Sequence, residues 1–133
     1  MLAALQHPLR CIGIDVDAQP ERVAADVKRI GRAAADLLGV NSRWTDEAVE
    51  VAGGYAGPSY GVPDAATLEA IGLAARLEAL ALDPVYAGKG MAGLIGLVRG
   101  GRFSKDDTVI WLHTGGSPGL FAYPAAMAGA AGA

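Results

Sequence analysis

The stretch Cys11–Gly39, "CIGIDVDAQPERVAADVKRIGRAAADLLG", reads as a strand followed by a helix. Its first six residues, Cys11–Val16, are mostly apolar and predict a strand that is buried on both faces. Pro20 suits the first turn of a helix over residues 20–38, and Gly39 supplies its stop. A strand, a short turn and a helix form the first half of a βαβ unit. The stretch therefore predicts an α/β fold with a parallel sheet flanked by helices.

The predicted helix carries apolar residues at helical spacing, which indicates one buried face. These residues are Val23, Val27, Ile30, Ala34, Leu37 and Leu38. Cys11, the single cysteine, cannot form an internal disulfide, and we expect it to point into the core from the strand.

The alternation of strands and helices continues along the chain. Glu50–Tyr55 predicts a short strand, and the glycine- and proline-rich residues 53–63 predict a loop. Asp64 is expected to cap a helix that runs to about Leu80. Its inward residues are predicted to be Leu68, Ile71, Ala75 and Leu80.

A third helix is predicted over roughly Lys89–Val98, and Gly100-Gly101 ends it. Its apolar face is predicted to comprise Met91, Leu94, Ile95 and Val98. Thr108–Leu112 predicts a further strand, and Ser117–Tyr123 a last short helix. We expect residues 1–124 to form the folded part and the alanine- and glycine-rich residues 125–133 to form a flexible tail.

Composition excludes several functional classes. The net charge of −3, with 11 basic residues spread along the chain, offers no basic patch for nucleic acid. No apolar run reaches the roughly 18 to 20 residues that a membrane helix needs, so we expect a cytoplasmic protein without a membrane partner. Two histidines and one cysteine do not make a metal site.

Residues 88–93 match the dinucleotide pattern G-x-G-x-x-G. That pattern needs a strand before it and an acidic residue about 20 positions later, but the region near residue 110 is apolar. We interpret the glycines as easing close packing of a helix, with nucleotide binding as the less favoured alternative. Lys28, Lys89 and Lys105 are all expected to be solvated.

Two tyrosines and one strand end are the candidate functional positions. Tyr60 and Tyr86 lie in loops bounded by glycine and proline, where a phenol can reach a ligand. Thr114-Gly115-Gly116 follows a predicted strand, at the kind of sheet edge where parallel folds bind cofactors. His113, next to Thr114, is more typical of a structural histidine.

Three separated motifs, "GPSYGVPDAATLEAI", "ALDPVYAGKGMAGLI" and "WLHTGGSPGLFAY", together resemble one enzyme family. It is the D-cysteine desulfhydrase and 1-aminocyclopropane-1-carboxylate deaminase family, and the resemblance covers its carboxy-terminal part. The earlier "IGIDVDAQPERVAADVKRIGRAAADLLGV" fits the same family. The resemblance implies a fold-type-II (tryptophan synthase β-like) enzyme of pyridoxal 5′-phosphate.

The resemblance also implies site residues. Tyr60 and Tyr86 match the active-site tyrosines that flank substrate and cofactor. Thr114 matches the hydroxyl that faces the pyridine nitrogen, and Gly115 and Gly116 let the backbone pass the ring. The implied reaction is β-elimination of a small amino acid, which gives pyruvate, ammonia and sulfide from D-cysteine.

Two departures from the family pattern bear on the activity that the resemblance implies. The deaminase branch resembles "VYEGK", whereas this chain has Ala87 in place of the glutamate. This difference favours D-cysteine desulfhydrase over the deaminase, with an L-cysteate lyase relative as a further alternative. The family's Schiff-base lysine, substrate loop and phosphate loop also lie upstream of Met1, so we expect an internal start, a truncated reading frame or a partial gene.

We therefore expect a fragment that is inactive alone and needs a complementary amino-terminal segment. The non-enzyme alternative is a small α/β domain that forms homo-oligomers or binds a partner through an exposed apolar patch.

Overall fold

A computed structural model describes residues 7–40, 43–125 and 128, and their contacts divide the chain into two compact units. The first unit comprises Met1–Asp15 and Gln19–Gly53; the second comprises Val16–Ala18 and Gly54–Ala133. The predicted tail falls largely on residues 126, 127 and 129–133, which lie outside the described residues.

The first unit is built on a small parallel sheet. Strand β1 (Ile12–Ile14) pairs in parallel with β2 (Glu50–Ala52), and Gly13 lies opposite Val51. Helix α1 (Pro20–Leu37) connects the strands and packs on β2. The predicted strand–helix–strand order and the parallel pairing are confirmed, although both strands are shorter than the sequence suggested.

Burial within this unit differs from the prediction. Cys11 is exposed, and Ile12 and Ile14 are only half-buried, so the prediction of a strand buried on both faces is wrong. The expected apolar face of α1 is also largely uncovered: Ile30 is 57% exposed and Leu37 90%. Strands of three residues extend about 10 Å, whereas a helix of 18 residues extends about 27 Å. So narrow a sheet cannot cover the helix.

An aromatic contact and an ion pair fasten the far end of α1. The ring of Trp44 lies against Gly31, where a side chain would collide with it. Its indole Nε1 donates to Asp46 at 3.0 Å, and Arg32 bonds the same carboxylate. The hydrogen bond from Trp44 and the neighbouring Arg32 hold the pKa of Asp46 below its usual value.

The second unit contains the paired helices α2 (Ala65–Glu78) and α3 (Ala87–Arg99), which pack closely together. Asp64 caps α2 as predicted, because its side chain accepts from the backbone N–H of Thr67 at 2.8 Å. Gly100 follows the last residue of α3, also as predicted. Within the described ranges, no helix combines the length and the apolar character needed to cross a membrane.

The fully buried residues of α3 are small ones and Lys89. In the predicted apolar face, Met91 is half-buried and packs against the core cluster, as predicted. Leu94 and Ile95 are half-buried, and Val98 is exposed, so the prediction is wrong for Val98. The buried residues are Ala87, Gly88, Lys89, Ala92 and Gly93. On α2, Leu68 and Ile71 do face inward, but Ala70 and Ala74 are buried in place of Ala75 and Leu80. Short side chains occupy these positions because they let the two helices approach closely.

The glycine pattern at residues 88–93 therefore serves packing, as interpreted from the sequence. A Cβ atom on Gly88 would lie 2.7 Å from the Asp83 carbonyl oxygen and 2.9 Å from Ile71. All six residues lie inside α3, and among the described residues the segment that leads into it, 79–86, is not a strand.

The last part of the unit is irregular where a strand was expected. Thr108–Leu112 forms no strand, and Ile110 and Leu112 are 73% and 78% exposed. Within this segment, Trp111 packs against the core cluster that contains Ile71 and Leu82. A lone extended segment has no partner for its backbone hydrogen bonds, so the predicted strand is wrong here. The predicted short helix is present as a 3-10 helix at Ser117–Ala122.

Gly88→Ala should destabilise the second unit by about 1–3 kcal/mol, since the added methyl group meets backbone and a packed isoleucine. Gly90→Ala is the matched control, because its Cβ would find its nearest neighbour, Trp111, at 3.8 Å. This control should be stabilised by up to about 1 kcal/mol through helix propensity. Urea unfolding followed by circular dichroism distinguishes the two, and equal midpoints would refute the packing role.

Candidate active site

The two predicted tyrosines meet in the second unit. Their hydroxyl groups are hydrogen-bonded, and their rings lie edge to face with centroids 5.9 Å apart. Tyr60 is 55% exposed and Tyr86 48%, so both phenols are open to a ligand. The sequence separates these residues by 26 positions, and the fold brings them into one pair.

The hydrogen bond between the phenols alters the acidity of Tyr60. It raises the pKa of Tyr60, with smaller contributions from partial desolvation and from the nearby acidic groups Tyr86, Tyr123 and Asp17. Tyr60 therefore keeps its proton to higher pH than an isolated tyrosine.

A buried carboxylate shapes the turn that carries Tyr86. Asp83 is 1% exposed, and its Oδ2 accepts from the backbone N–H groups of Val85 and Tyr86 at 2.9 and 2.8 Å. Its Oδ1 accepts from Ala87 at 2.9 Å. These N–H groups stand at the start of α3, where no helical carbonyl can reach them. Asp83 thereby fixes the backbone on which the phenol of Tyr86 is mounted.

The segment Thr114-Gly115-Gly116 is held against the same carboxylate. A Cβ on Gly116 would lie 2.5 Å from Asp83 Oδ1, and one on Gly119 would lie 3.2 Å from Asp83 Cβ. The Ser117 hydroxyl also donates to the Ala81 carbonyl at 3.0 Å. Close approach of this segment to the Asp83 turn thus depends on the two glycines.

Thr114 itself is exposed, as are Gly115 and Gly116. A Cβ on Gly115, whose φ is 110°, would find no atom within 4 Å. Thr114 therefore lies next to an uncovered stretch of backbone at Gly115. His113 accepts from the Gly115 N–H at 3.1 Å and stacks edge to face on Trp111, in agreement with a structural role.

Lys89 corrects a prediction, because it is buried rather than solvated. It has no exposed surface, and its Nζ donates to the carbonyl oxygens of Ala56 and Ser59, the latter at 3.0 Å. An ammonium group engaged in this way is not available as a nucleophile. Lys105 is exposed and Lys28 half-buried.

Asp83 and Lys89 are the residues that sequence reasoning missed. A signal for Asp83 was present, since an Asp-Pro pair just before a helix is typical of a side chain that caps backbone N–H groups. The signal for Lys89 was its setting between Gly88 and Gly90, where small neighbours leave room for a long side chain.

A family model matches most of the chain. Residues 2–115 match the family model described as pyridoxal-phosphate dependent enzyme. The chain belongs to this family. Family membership confirms both the predicted α/β fold class and the cofactor of the family, pyridoxal 5′-phosphate.

Curated relatives carry a more specific name. The chain is 47% identical over 119 residues to a 1-aminocyclopropane-1-carboxylate deaminase of Burkholderia multivorans, and covers 35% of that protein. It is 45% identical over 114 residues to the deaminase of Ralstonia pickettii, and 47% to that of Pseudomonas syringae pv. syringae, covering 34% of each. These matches take in 86–90% of this chain. The chain thus spans about a third of the length of these relatives.

Tyr86→Phe should return the pKa of Tyr60 toward the ordinary tyrosine value, because the hydrogen bond that raises it is removed. In the unaltered chain the contact is present below the ordinary pKa and is lost as pH rises through the raised pKa. Titration of phenolate absorbance against pH measures the pKa of Tyr60 in the unaltered chain and in Tyr86→Phe. Tyr55→Phe is the control and should leave Tyr60 unchanged; an unshifted Tyr60 in Tyr86→Phe would contradict the pairing.

Proposed function

We propose that this chain supplies the tyrosine and ring-nitrogen side of a pyridoxal-phosphate-dependent lyase that acts on D-cysteine. The reaction of the complete enzyme is β-elimination, in which D-cysteine and water give pyruvate, ammonia and hydrogen sulfide. The observation that carries the proposal is the exposed Tyr60–Tyr86 pair, in which Tyr86 directly precedes Ala87.

The chain's own residues have separate roles in this proposal. The cofactor, when bound, supplies the electron sink that stabilises the carbanion formed at the substrate's α-carbon. Thr114 would hydrogen-bond the pyridine nitrogen through a neutral hydroxyl, and Gly115 and Gly116 would let the backbone lie along the ring. Tyr60 and Tyr86 would flank the substrate, and a phenol of the pair would donate a proton to the departing sulfur.

Ala87 favours the sulfur substrate over aminocyclopropane carboxylate. Ala87 is 7% exposed and belongs to the apolar cluster formed with Ile71, Ala74 and Leu82. The deaminase branch that the motif resembles has a glutamate at this position. A methyl group here offers no carboxylate for proton transfer.

The second candidate function is 1-aminocyclopropane-1-carboxylate deamination. It is favoured by the names of the relatives, which are 45–47% identical to this chain. Under this alternative, the residue at position 87 would not decide the substrate.

Catalysis on this proposal also needs a Schiff-base lysine and a phosphate loop from a complementary amino-terminal segment. Residues 1–124 would then be one part of a larger cytoplasmic enzyme, itself a homo-oligomer, and inactive without that segment. Buried Lys89 agrees with this division, since its Nζ already donates to two carbonyl groups.

A chimaera tests the proposal. The segment of the Burkholderia multivorans relative that aligns with this chain is replaced by this chain, and sulfide release from D-cysteine is measured. We expect sulfide from the chimaera, and at least a roughly tenfold loss in its Ala87→Glu variant, equivalent to about 1.4 kcal/mol of transition-state stabilisation. Ammonia release from aminocyclopropane carboxylate should rise in the same variant.

Ala66→Glu, at an exposed position on α2, is the matched control and should change neither activity. Ammonia from aminocyclopropane carboxylate without sulfide from D-cysteine, in a chimaera that retains Ala87, would reject the desulfhydrase and support the deaminase.

A further inference from the structure

The interior of the second unit holds one lysine whose burial the proposed chemistry does not explain. Lys89 is the largest of the fully buried side chains among the described residues. Removing an ammonium group from water is costly unless hydrogen bonds and charge compensate for it. A lysine at an exposed position on α3 would avoid this cost. The contacts of Lys89 therefore indicate what the burial of this side chain achieves.

The contacts of Lys89 converge on the loop that carries Tyr60. Its Nζ donates to the carbonyl oxygens of Ala56 and Ser59. The Ser59 carbonyl also accepts from the Val62 N–H at 3.1 Å, which closes a four-residue turn. One oxygen therefore both closes the turn and receives the ammonium group.

Tyr60 stands at the corner of this turn. Ser59 and Val62 form an antiparallel bridge, with Tyr60 and Gly61 between them. Gly61 has a φ of 75°, which is the left-handed conformation that type II turns place at this position. Lys89 thus holds the base of a tight turn whose tip presents the phenol of Tyr60.

The same helix end also carries the other phenol. Tyr86 directly precedes α3, and Lys89 is the third residue of that helix. Asp83 fixes the backbone of Tyr86, while Lys89 reaches across to the Tyr60 turn. Both phenols are therefore positioned relative to the first turn of α3.

A carboxylate at the end of the Tyr60 loop senses the charge of Lys89. Burial raises the pKa of Asp64, but hydrogen bonds from Thr67 and, to a smaller extent, the charge of Lys89 lower it by more, so the net shift is downward. Asp64 caps α2 just after the Tyr60 loop. The Lys89 ammonium group and the Asp64 carboxylate therefore attract each other electrostatically.

We propose that Lys89 is a positioning residue for the active site: its ammonium group clamps the Ala56 and Ser59 carbonyls, and thereby holds Tyr60 against Tyr86. The site identity rests on the proposed function, whereas the clamp concerns contacts within this chain. It assigns no chemical step to Lys89.

The test is an NMR measurement on the full 133-residue chain with ring-labelled tyrosines, without cofactor or substrate. The unaltered chain should show nuclear Overhauser contacts between the Tyr60 and Tyr86 rings. Lys89→Met, which keeps an unbranched side chain but has no donor, should lose those contacts and return the pKa of Tyr60 toward its ordinary value. Lys89→Gln, which retains a neutral donor, should recover part of the contact intensity. Lys105→Met is the control at an exposed lysine and should behave like the unaltered chain.

Inter-ring contacts of undiminished intensity in Lys89→Met, with an unchanged Tyr60 titration, would overturn the proposal. Loss of helical circular dichroism in both Lys89→Met and Lys89→Gln would overturn it too, because Lys89 would then support the whole unit rather than one turn. An inactive chimaera with intact Lys89-dependent ring contacts would reject the lyase function and leave the clamp standing.

Discussion

A single buried carboxylate organises the candidate active site. Asp83 accepts three backbone N–H groups at the start of α3, and these groups would otherwise be buried without helical partners. Hydrogen bonds to a charged acceptor are stronger than those between neutral groups, and all three converge on one rigid side chain. The turn before Tyr86 and the close approach of Gly116 both follow from this arrangement.

Helix α3, which Asp83 caps, is also constrained on the face that packs against α2. Gly88 and Ala92 bring α3 close to α2, so the helix cannot shift without meeting Ile71 or the Asp83 carbonyl. Lys89 extends from the same face to the Tyr60 loop. One helix end therefore joins helix packing to the geometry of the phenol pair, and the pair can remain exposed to a ligand while its supports are buried.

The ends of the helices could be predicted from the residues next to them. Pro20 and Asp64 marked the starts of α1 and α2, and Gly100 the end of α3, because caps and breakers act within one turn of a helix. The candidate residues Tyr60, Tyr86 and Thr114 came from motif resemblance, which already contains information about the complete fold.

Burial could not be predicted in the same way, because it depends on what lies opposite each face. Periodicity assigned Ile95 and Val98 to the buried side of α3, but Ile95 is half-buried and Val98 exposed, and the fully buried apolar positions hold alanine and glycine. Thr108–Leu112 has the composition of a strand but forms none, since strand structure needs a neighbouring backbone. Lys89 was missed because composition rules place lysine at the surface, and its acceptors lie 30 and 33 residues earlier in the chain.

Residue-resolved hydrogen exchange of the full chain tests most directly whether buried supports fix the two tyrosine turns. The amide protons of Val85, Tyr86, Ala87 and Val62 should exchange as slowly as those in the middle of α2 and α3, because each is bonded to Asp83 or to the turn held by Lys89. The amides of Val109, Ile110 and Leu112 should exchange quickly. Exchange of the Tyr86 and Val62 amides at the fast rate of that exposed segment would contradict the account.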